Sequence, residues 1–300
     1  MEAVTFEGVT KSYDGLTAVS GLNLQIRQGS FFGLLGPNGA GKTTTLRMLL
    51  RIIVPDLGKI QILGQPLAAA TQDRIGYLPE ERGLYPKMQV RQVLVYLGAL
   101  KGLTEAEADR RSSMWLERME IADWSERKVN ELSKGMQQKV QFIAAVIHEP
   151  PLLVLDEPFT GFDPVNTAAV KDIMVDLRDR GTTIILSTHR MEQVEMMCDS
   201  ICLINRGRQV LDGDLREIKR AYGKNTVRVE YAGRDMLDLS CFASSVNRFG
   251  NVVEAKLRPG VDPQQILKAL VARNVPIARF ELIEPPLADI FVEKVTTANA

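Results

Sequence analysis

The stretch Gly36-Pro-Asn-Gly-Ala-Gly-Lys-Thr43 follows an apolar run at 31–35 and opens a helical pattern that begins at Thr43. Its spacing, G-x-x-x-x-G-K-[ST], is typical of a loop whose successive backbone N–H groups surround phosphates, and a strand before it and a helix after it are the context this loop requires. The helix N-terminus adds positive potential. A glycine-rich turn that fits the pattern by chance is the alternative. We therefore predict a phosphate site in an α/β fold.

Two side chains of this loop are expected to bind the phosphates and the metal ion. Lys42 is long enough to reach the β- and γ-phosphates of a nucleotide, and the Thr43 hydroxyl is a ligand for Mg²⁺. The predicted nucleotide-binding residues of the loop and the helix start are Gly36, Pro37, Asn38, Gly39, Ala40, Gly41, Lys42, Thr43 and Thr44.

Short apolar runs alternate with helical patterns through about residue 220, which predicts an α/β domain with a largely parallel sheet. The clearest predicted strands are 31–35, 75–78, 152–155, 182–187 and 201–204. Near the start, 4–9 and 22–26 alternate apolar and polar residues, so they are predicted to be antiparallel strands with one wet face. A helical insertion is predicted at about 87–150, with a capping box at Thr104 and Glu107 and a last helix that begins at Ser133.

Candidate functional residues follow the carboxyl ends of four predicted strands. They are Gly36, Glu80, Asp156 and His189. Asp156 suits the shell of Mg²⁺, and Glu157 suits polarising the water that attacks the γ-phosphate. His189 can donate to a γ-phosphate oxygen or orient that water. Acidic residues after a strand are often only a turn, but a parallel sheet would gather all four ends along one edge, where open α/β sheets bind ligands.

A second unit is predicted from about Gly223. Alternating apolar residues indicate strands at 227–231, 253–257 and 278–282, helical patterns occur at about 235–248 and 263–273, and a closing helix is expected near 287–295. This order fits a small α+β domain of ferredoxin-like type. The predicted organisation is therefore a domain at 1–222, with its helical subdomain at about 87–150, and an accessory domain at 223–300.

Charge balance, apolar pattern and cysteine spacing disfavour several classes of function. The 37 basic and 37 acidic residues cancel, so the charge gives no support for binding nucleic acid or anionic lipid. The start of the chain has no basic segment followed by an apolar one, and no apolar run approaches the roughly 20 residues of a spanning helix, so we expect a soluble, unsecreted chain. The cysteines Cys198, Cys202 and Cys241 form no metal spacing and suit reduced thiols in the cytoplasm.

Over residues 2 to 220 the chain resembles the ATP-binding cassette (ABC) ATPases. The stretch Leu132-Ser-Lys-Gly-Met136 is similar to the signature motif of that family, usually L-S-G-G-Q; Ser133 and Gly135 match it, whereas Lys134 and Met136 depart from it. A serine at a helix N-terminus makes a second phosphate site in a chain that already has one. The resemblance implies a head-to-tail homodimer, with ATP held between the phosphate loop of one copy and the signature helix of the other.

The resemblance also implies roles for single residues. Tyr13 matches the aromatic residue that stacks on adenine, with a solvent-facing tyrosine in a turn as the alternative, and Asp163 matches the loop that links the two sites of the dimer. Glu80 stands where the family usually has a glutamine that contacts Mg²⁺ or the attacking water, so we expect Glu80 to be a Mg²⁺ ligand that tightens the Mg²⁺ dependence. Glu81 and Arg82 are expected in a solvated turn or a partner contact.

Two further stretches, at 79–85 and 284–293, are similar to bacterial exporter ATPases of the sodium- and drug-efflux type. The resemblance implies an ATP-hydrolysing subunit that uses ATP and Mg²⁺ at the cytoplasmic face of the membrane, with separately encoded polytopic permease subunits and no nucleic acid. One alternative is a soluble ABC-type ATPase that acts on ribosomes or DNA. Another is a regulatory module without catalysis, which the full set of predicted catalytic residues disfavours.

Overall fold

Two compact units make up the fold, Met1–Asp212 and Gly213–Ala300. The computed structural model describes residues 1–81, 83–223, 225–232 and 238–299. Arg82 and positions 235–237 of the predicted helix at 235–248 lie outside the described residues. The sequence predicts the division at 222 and 223, whereas in the structure the segment 213–222 falls in unit 2.

Unit 1 alternates strands and helices along most of its length. Its strands are β1 (Glu2–Tyr13), β2 (Leu16–Arg27), β3 (Phe31–Leu35), β4 (Leu57–Ile62), β5 (Gln65–Pro66), β6 (Ile75–Leu78), β7 (Leu152–Asp156), β8 (Thr183–Thr188), β9 (Ser200–Asn205) and β10 (Arg208–Asp214), the last of which ends just past the boundary. Its helices are α1 (Lys42–Leu49), α2 (Ala69–Gln72), α3 (Val90–Leu100), α4 (Glu105–Arg118), α5 (Lys134–Val146), α6 (Pro164–Asp179) and α7 (Met191–Met197).

Two sheets organise unit 1. The first has the order β2-β1-β4-β5 with antiparallel pairs, and the second has the order β10-β9-β3-β8-β7-β6, in which β9, β3, β8, β7 and β6 are parallel. Every residue of β3, β7 and β8 is buried, as expected for parallel strands that are covered on both faces. The predicted α/β class with antiparallel N-terminal strands is confirmed.

The helical insertion contains α3, α4 and α5, and side-chain caps set two of its helix starts. The Thr104 hydroxyl accepts from the Glu107 backbone N–H at 3.3 Å, and the Ser133 hydroxyl accepts from the Met136 N–H at 3.3 Å. The reciprocal half of the predicted capping box is not formed, because the Glu107 carboxylate instead accepts from Arg111, one turn further on, at 2.6 Å.

Unit 2 is a four-stranded antiparallel sheet with helices. Its elements after β10 are α8 (Leu215–Tyr222), β11 (Thr226–Tyr231), β12 (Ala243–Phe249), β13 (Val252–Leu257), α9 (Pro263–Ala272), β14 (Ile277–Ile283) and α10 (Leu287–Asn299). The sheet order is β12-β13-β11-β14. Alternate residues of β11 and β13, such as Val227, Val229 and Val253, are buried in one core with Ile266 and Leu270 of α9. The α+β class predicted for the C-terminal region is confirmed.

One predicted element of unit 2 is wrong. The helix expected at 235–248 is contradicted over 243–248, because this segment belongs to strand β12, which pairs antiparallel with β13. The segment is an edge strand whose residues are mostly exposed, so it lacks the alternation that marks a half-buried strand. Pairing with the regular strand β13 decides its conformation.

No helix in the described residues is both long enough and apolar enough to cross a membrane.

Gly76 provides a test of how closely the helical insertion packs on the sheet. A Cβ atom at this position of β6 would lie 2.2 Å from the Ala145 carbonyl oxygen of α5 and 2.8 Å from Pro150 Cγ. We expect Gly76→Ala to lower the free energy of unfolding by about 1–3 kcal/mol, because the helix backbone cannot move away without loss of packing. The measurement is urea unfolding of the full chain, followed by circular dichroism.

Gly83→Ala is the matched control, since a Cβ atom at Gly83 would meet no atom within 4 Å. Its unfolding should stay within about 0.5 kcal/mol of the parent chain. Equal stability of the two variants would contradict the close packing of β6 on α5.

Candidate nucleotide site

The glycine-rich loop connects β3 to α1, and two of its glycines are required by sterics. Gly36 has a φ of 153°, and a Cβ atom there would lie 2.2 Å from the Ile204 carbonyl oxygen. Gly41 caps α1 with a φ of 111°, and its Cβ atom would lie 2.5 Å from the Ala18 carbonyl oxygen. Only glycine fits both positions, so the loop can turn tightly into the helix and direct the first free N–H groups of α1 toward a ligand.

Lys42 is folded back onto this loop. Its Nζ donates to the carbonyl oxygens of Gly36 at 2.7 Å and Pro37 at 3.1 Å, and only 8% of the residue is exposed. Burial lowers the pKa of Lys42 from its ordinary value, while the negative charges of Glu157, Asp156 and Glu80 oppose that shift. The ammonium is therefore a buried cation within electrostatic range of three carboxylates.

A cavity of about 310 Å³ lies between the loop and the neighbouring strand ends. It is lined by Ala18, Asn38, Gly39, Ala40, Gly41, Lys42, Thr43, Thr44, Glu80, Asp156 and Glu157. The structure thus brings the loop together with the predicted acidic residues. Ala18, at the β1–β2 hairpin, has no sequence feature that marks it as a site residue.

Asp156 is the last residue of β7, where its backbone pairs with Ser187 of β8. The residue is only 3% exposed, and burial raises the pKa of its carboxyl group from the ordinary value, with further raising effects from Glu80 and Glu157. A cation bound beside Asp156 would lower the pKa of this carboxyl group again, since a positive charge favours the ionised form.

Glu157 is held in a strained backbone conformation by side-chain hydrogen bonds. Its φ is 48°, in the left-handed region that non-glycine residues rarely adopt. Its Oε2 accepts from the Thr188 hydroxyl at 3.0 Å, and its Oε1 accepts from the His189 backbone N–H at 3.0 Å. The carboxylate is thereby fixed at the wall of the cavity.

His189 makes a second contact with the same carboxylate oxygen. Its ring Nδ1 lies 2.6 Å from Glu157 Oε1, and because a carboxylate only accepts, Nδ1–H is the donor. The side chain is 54% exposed, so the rest of the ring is open to solvent. The structure joins His189 to Glu157 directly. Thr188 was missed by sequence reasoning, although a hydroxyl residue beside a predicted site histidine was a visible signal.

The oxygen donors at the cavity fit a hard divalent cation. Thr43 contributes a hydroxyl and Asp156 a carboxylate, and Mg²⁺ prefers oxygen ligands. In the part of the chain that the structure describes, no group of three or more His, Cys, Asp or Glu side chains is arranged to hold an ion. Mg²⁺ commonly keeps several waters and takes only one or two protein carboxylates together with substrate phosphates.

The remaining predicted site residues lie outside the lining of this cavity. Tyr13 ends β1, is 43% exposed, and has the Lys11 Nζ at 5.5 Å from its ring centroid. Ser133 caps α5 and is exposed. Asp163 caps α6, where it accepts from the Asn166 backbone N–H at 2.8 Å and its pKa is lowered mainly by that bond. Gly135 lies beside the loop before α6, since a Cβ atom on it would be 3.5 Å from the Gly161 oxygen.

Residues 19–160 match the family model described as ABC transporter. The ABC transporter ATP-binding protein YhaQ of Bacillus subtilis is 46% identical over 293 residues, which cover 97% of this chain and 98% of that protein. The chain belongs to the ABC transporter ATP-binding proteins. Members of this family bind and hydrolyse ATP.

Other matches extend to both units of this ABC ATP-binding protein. Residues 213–295 match the model described as ATP-binding protein DrrA1-3-like, C-terminal domain. The Nod factor export ATP-binding protein I of Rhizobium sp. (strain N33) is 34% identical, with 97% of this chain and 96% of that protein covered. A solved ATP binding subunit of an ABC transporter has a TM-score of 0.69 at 32% identity, covering 74% of this chain and 93% of that chain.

Thr188 offers a test of how the carboxylate of Glu157 is held. We expect Thr188→Val to lower kcat for ATP hydrolysis by about five- to tenfold, because the bond that the hydroxyl donates to Glu157, worth about 1 kcal/mol, is lost and Glu157 can leave its position. The substitution also removes the acceptor of the Arg190 backbone N–H. Thr188→Ser keeps the hydroxyl and should stay within about threefold of the parent. Steady-state phosphate release gives kcat, and fluorescent nucleotide binding gives affinity, which should not change. Parent-like kcat in Thr188→Val would contradict this role.

Proposed function

We propose that this ABC ATP-binding protein is the ATP-hydrolysing subunit of a bacterial exporter and drives efflux of a small ion or drug-like solute through separate membrane subunits. The observation that carries the proposal is the hydrogen-bonded Glu157 at the wall of the cavity that the phosphate loop forms. Export is supported by the name of the Rhizobium relative and by the C-terminal match at 213–295. Unit 1 would be the ATPase domain and unit 2 the accessory domain, with the division at 212 and 213.

The phosphate loop would bind the triphosphate through backbone N–H groups and one cation. The free N–H groups at the start of α1 and the helix dipole favour negative charge there. Lys42 would exchange its bonds to the Gly36 and Pro37 carbonyl oxygens for bonds to the β- and γ-phosphates. Such an exchange is favourable because charge-assisted hydrogen bonds to phosphate are stronger than those to neutral carbonyls.

Glu157 would orient and polarise the water that attacks the γ-phosphate. Its Oε1 and Oε2 accept bonds from His189 and Thr188, so the carboxylate is positioned before substrate arrives. His189 would hold Glu157 through Nδ1–H, and its exposed ring edge could contact the γ-phosphate. General-base assistance of this kind contributes about 10²- to 10⁴-fold to a rate.

Thr43, Asp156 and Glu80 would hold Mg²⁺ at this cavity. When bound, Mg²⁺ supplies neutralisation of charge that develops on the phosphate oxygens. The protein's part is to present the Thr43 hydroxyl and the Asp156 carboxylate at one end of the cavity and Lys42 beside them.

A second copy would complete the site. Ser133, which is exposed, and Gly135, which is partly exposed, lie at the start of α5, outside the cavity of their own chain, although a helix N-terminus favours phosphate. Packing within the single chain does not require glycine at position 135. Its φ is not positive, and a Cβ atom there would make only an ordinary contact at 3.5 Å. These residues would cover the γ-phosphate bound by the partner, Tyr13 would stack on adenine, and Asp163 would link the two sites.

The test of this function is Glu157→Gln in the full chain. We expect hydrolysis to fall by at least about 100-fold, because the amide cannot take a proton from water. The variant should still bind ATP and should accumulate as an ATP-bound dimer, measured by light scattering after gel filtration with ATP and Mg²⁺. Turnover equal to the parent would remove Glu157 from its proposed role.

A second substitution tests whether this dimer uses α5. In the Glu157→Gln background, Ser133→Arg should abolish the ATP-dependent dimer while nucleotide binding by the monomer remains. The matched control is Ser113→Arg, at an exposed serine of α4 away from the proposed interface. A dimer that tolerates arginine at Ser133 would contradict the head-to-tail arrangement.

The proposed partner is a polytopic permease, which would hold this subunit at the cytoplasmic face of the membrane without nucleic acid. Purification of the tagged chain from detergent-solubilised membranes should yield a protein with several apolar segments of about 20 residues. Addition of that protein in vesicles should change the rate of ATP hydrolysis. Recovery of ribosomes or DNA instead, with no effect of the permease, would contradict the exporter function.

A further inference from the structure

The β1–β2 hairpin contains a β-bulge beside the nucleotide cavity. Lys11 of β1 pairs with Val19 of β2. The next residue of β1, Ser12, pairs with Thr17, so β2 has one extra residue, Ala18, at this point. Ala18 lines the cavity of the phosphate loop. A bulge bends its strand and changes the direction of the side chains near it, so the direction of the hairpin tip is set next to the cavity.

The tip of this hairpin carries Tyr13. Asp14 and Gly15 form the turn with φ values of 45° and 84°, as in a two-residue hairpin loop, and Tyr13 pairs with Leu16 across it. Leu16 is two residues from Ala18, which is about 7 Å along a strand. A ribose spans a comparable distance between a phosphate and a base. The ring of Tyr13, a residue that is 43% exposed, is therefore within reach of the base of a nucleotide bound by the loop.

Asp56 connects the bulge to the start of β4. Its Oδ1 accepts from Lys11 Nζ at 2.7 Å, and its Oδ2 accepts from the Ser12 backbone N–H at 2.7 Å. The backbone N–H of Asp56 donates to the Thr10 carbonyl oxygen at 2.8 Å. The three residues of β1 that precede Tyr13 are thereby all fixed to the residue that precedes β4.

Lys11 also contacts the ring of Tyr13. Its Nζ lies 5.5 Å from the ring centroid, within the range of a cation–π interaction. A cation over one face of the ring leaves the opposite face for a base. The hydrogen bonds from Lys11 and then Ser12 lower the pKa of Asp56 from its ordinary value, so this carboxylate is ionised at neutral pH. Carboxylate, ammonium and ring therefore form one continuous chain of contacts.

The exposure of the Asp56–Lys11 pair argues against a purely structural role. The Asp56 side chain is 43% exposed, and ion pairs in solvent contribute little to stability. Two charge-assisted hydrogen bonds to one carboxylate nevertheless restrict geometry, because both donors must keep their positions. The expected effect of Asp56 is therefore on the orientation of the hairpin tip.

We propose that Asp56 is a positioning residue for recognition of the nucleotide base: through Lys11 and the bulge it orients the ring of Tyr13 for stacking before the nucleotide binds. The inference rests on the proposed nucleotide function and adds Asp56 and Lys11 to the residues that set affinity for the base. Orientation in advance raises affinity, because the apparent Kd is inversely proportional to the fraction of molecules in the binding-competent state.

The experiment compares ATP with inorganic tripolyphosphate, which has the phosphates but no base. Binding of each to the full chain is measured by isothermal titration calorimetry with Mg²⁺. We expect Asp56→Ala to raise the Kd for ATP by about three- to tenfold, because fewer molecules hold Tyr13 ready to stack. The Kd for tripolyphosphate should stay within about twofold of the parent. Lys11→Met should give the same pattern. An unchanged Kd for ATP, or an equal loss for both ligands, would overturn the proposal.

A double-mutant cycle tests whether Asp56 acts through Tyr13. Tyr13→Leu should raise the Kd for ATP by at least about fivefold, since stacking on the base is lost. In the Tyr13→Leu background, Asp56→Ala should change the Kd for ATP by less than about twofold, because two residues that act on one contact are not additive. A full effect of Asp56→Ala in that background would show that Asp56 acts by another route and would overturn the proposal.

Asp109→Ala is the matched control. Asp109 accepts two hydrogen bonds from Arg91 in another exposed ion pair, within the helical insertion, and does not line the nucleotide cavity. Its Kd for ATP should stay within about twofold of the parent. A loss equal to that of Asp56→Ala would overturn a specific role of Asp56. Failure of the parent chain to bind either ligand would instead reject the nucleotide function itself.

Discussion

The register of four neighbouring parallel strands is the constraint on which the site depends. In the order β3-β8-β7-β6, Leu35 pairs with Thr188, Asp156 with Ser187, and Leu78 with Leu155. All four strands end at one edge, so the phosphate loop, the acidic pair and His189 meet there although they are far apart in sequence. A slip of one residue in any strand would turn its side chains to the opposite face of the sheet. The buried apolar residues of these strands make such a slip costly, and the geometry of the site is thereby secured by the core.

The same edge of the sheet carries buried charged groups, whose loss of hydration destabilises the folded protein. Lys42, Asp156 and Glu157 are each less than a tenth exposed. Burial of an ionised group costs several kcal/mol unless partners replace the lost water. Here the partners are backbone carbonyls for Lys42 and the hydroxyl, N–H and ring N–H of Thr188 and His189 for Glu157. The positive φ of Glu157 adds strain. Buried charges and backbone strain at the same place are typical of a site that acts on a ligand.

The two units differ in how well sequence patterns predicted them. In unit 1, apolar runs in the sequence predicted strands at or near their observed positions, because parallel strands that are covered on both faces are apolar throughout. In unit 2, the strands around Val227 and Val253 show a regular alternation, and they were predicted correctly. The edge strand at Ala243–Phe249 was predicted as helix, since its residues are mostly exposed and its conformation comes from pairing with β13.

By itself, the sequence determined the phosphate loop, the acidic pair after an apolar strand and the second serine-capped helix, because each is a local pattern whose chemistry depends on residues close in the chain. Only the tertiary structure decided that Thr188 and His189 hold Glu157, that Ala18 lines the same cavity, and that Ser133 lies outside it. These relations join residues from different strands and helices. They arise from sheet order and packing, which act across long separations in sequence and leave no spacing that a local pattern could reveal.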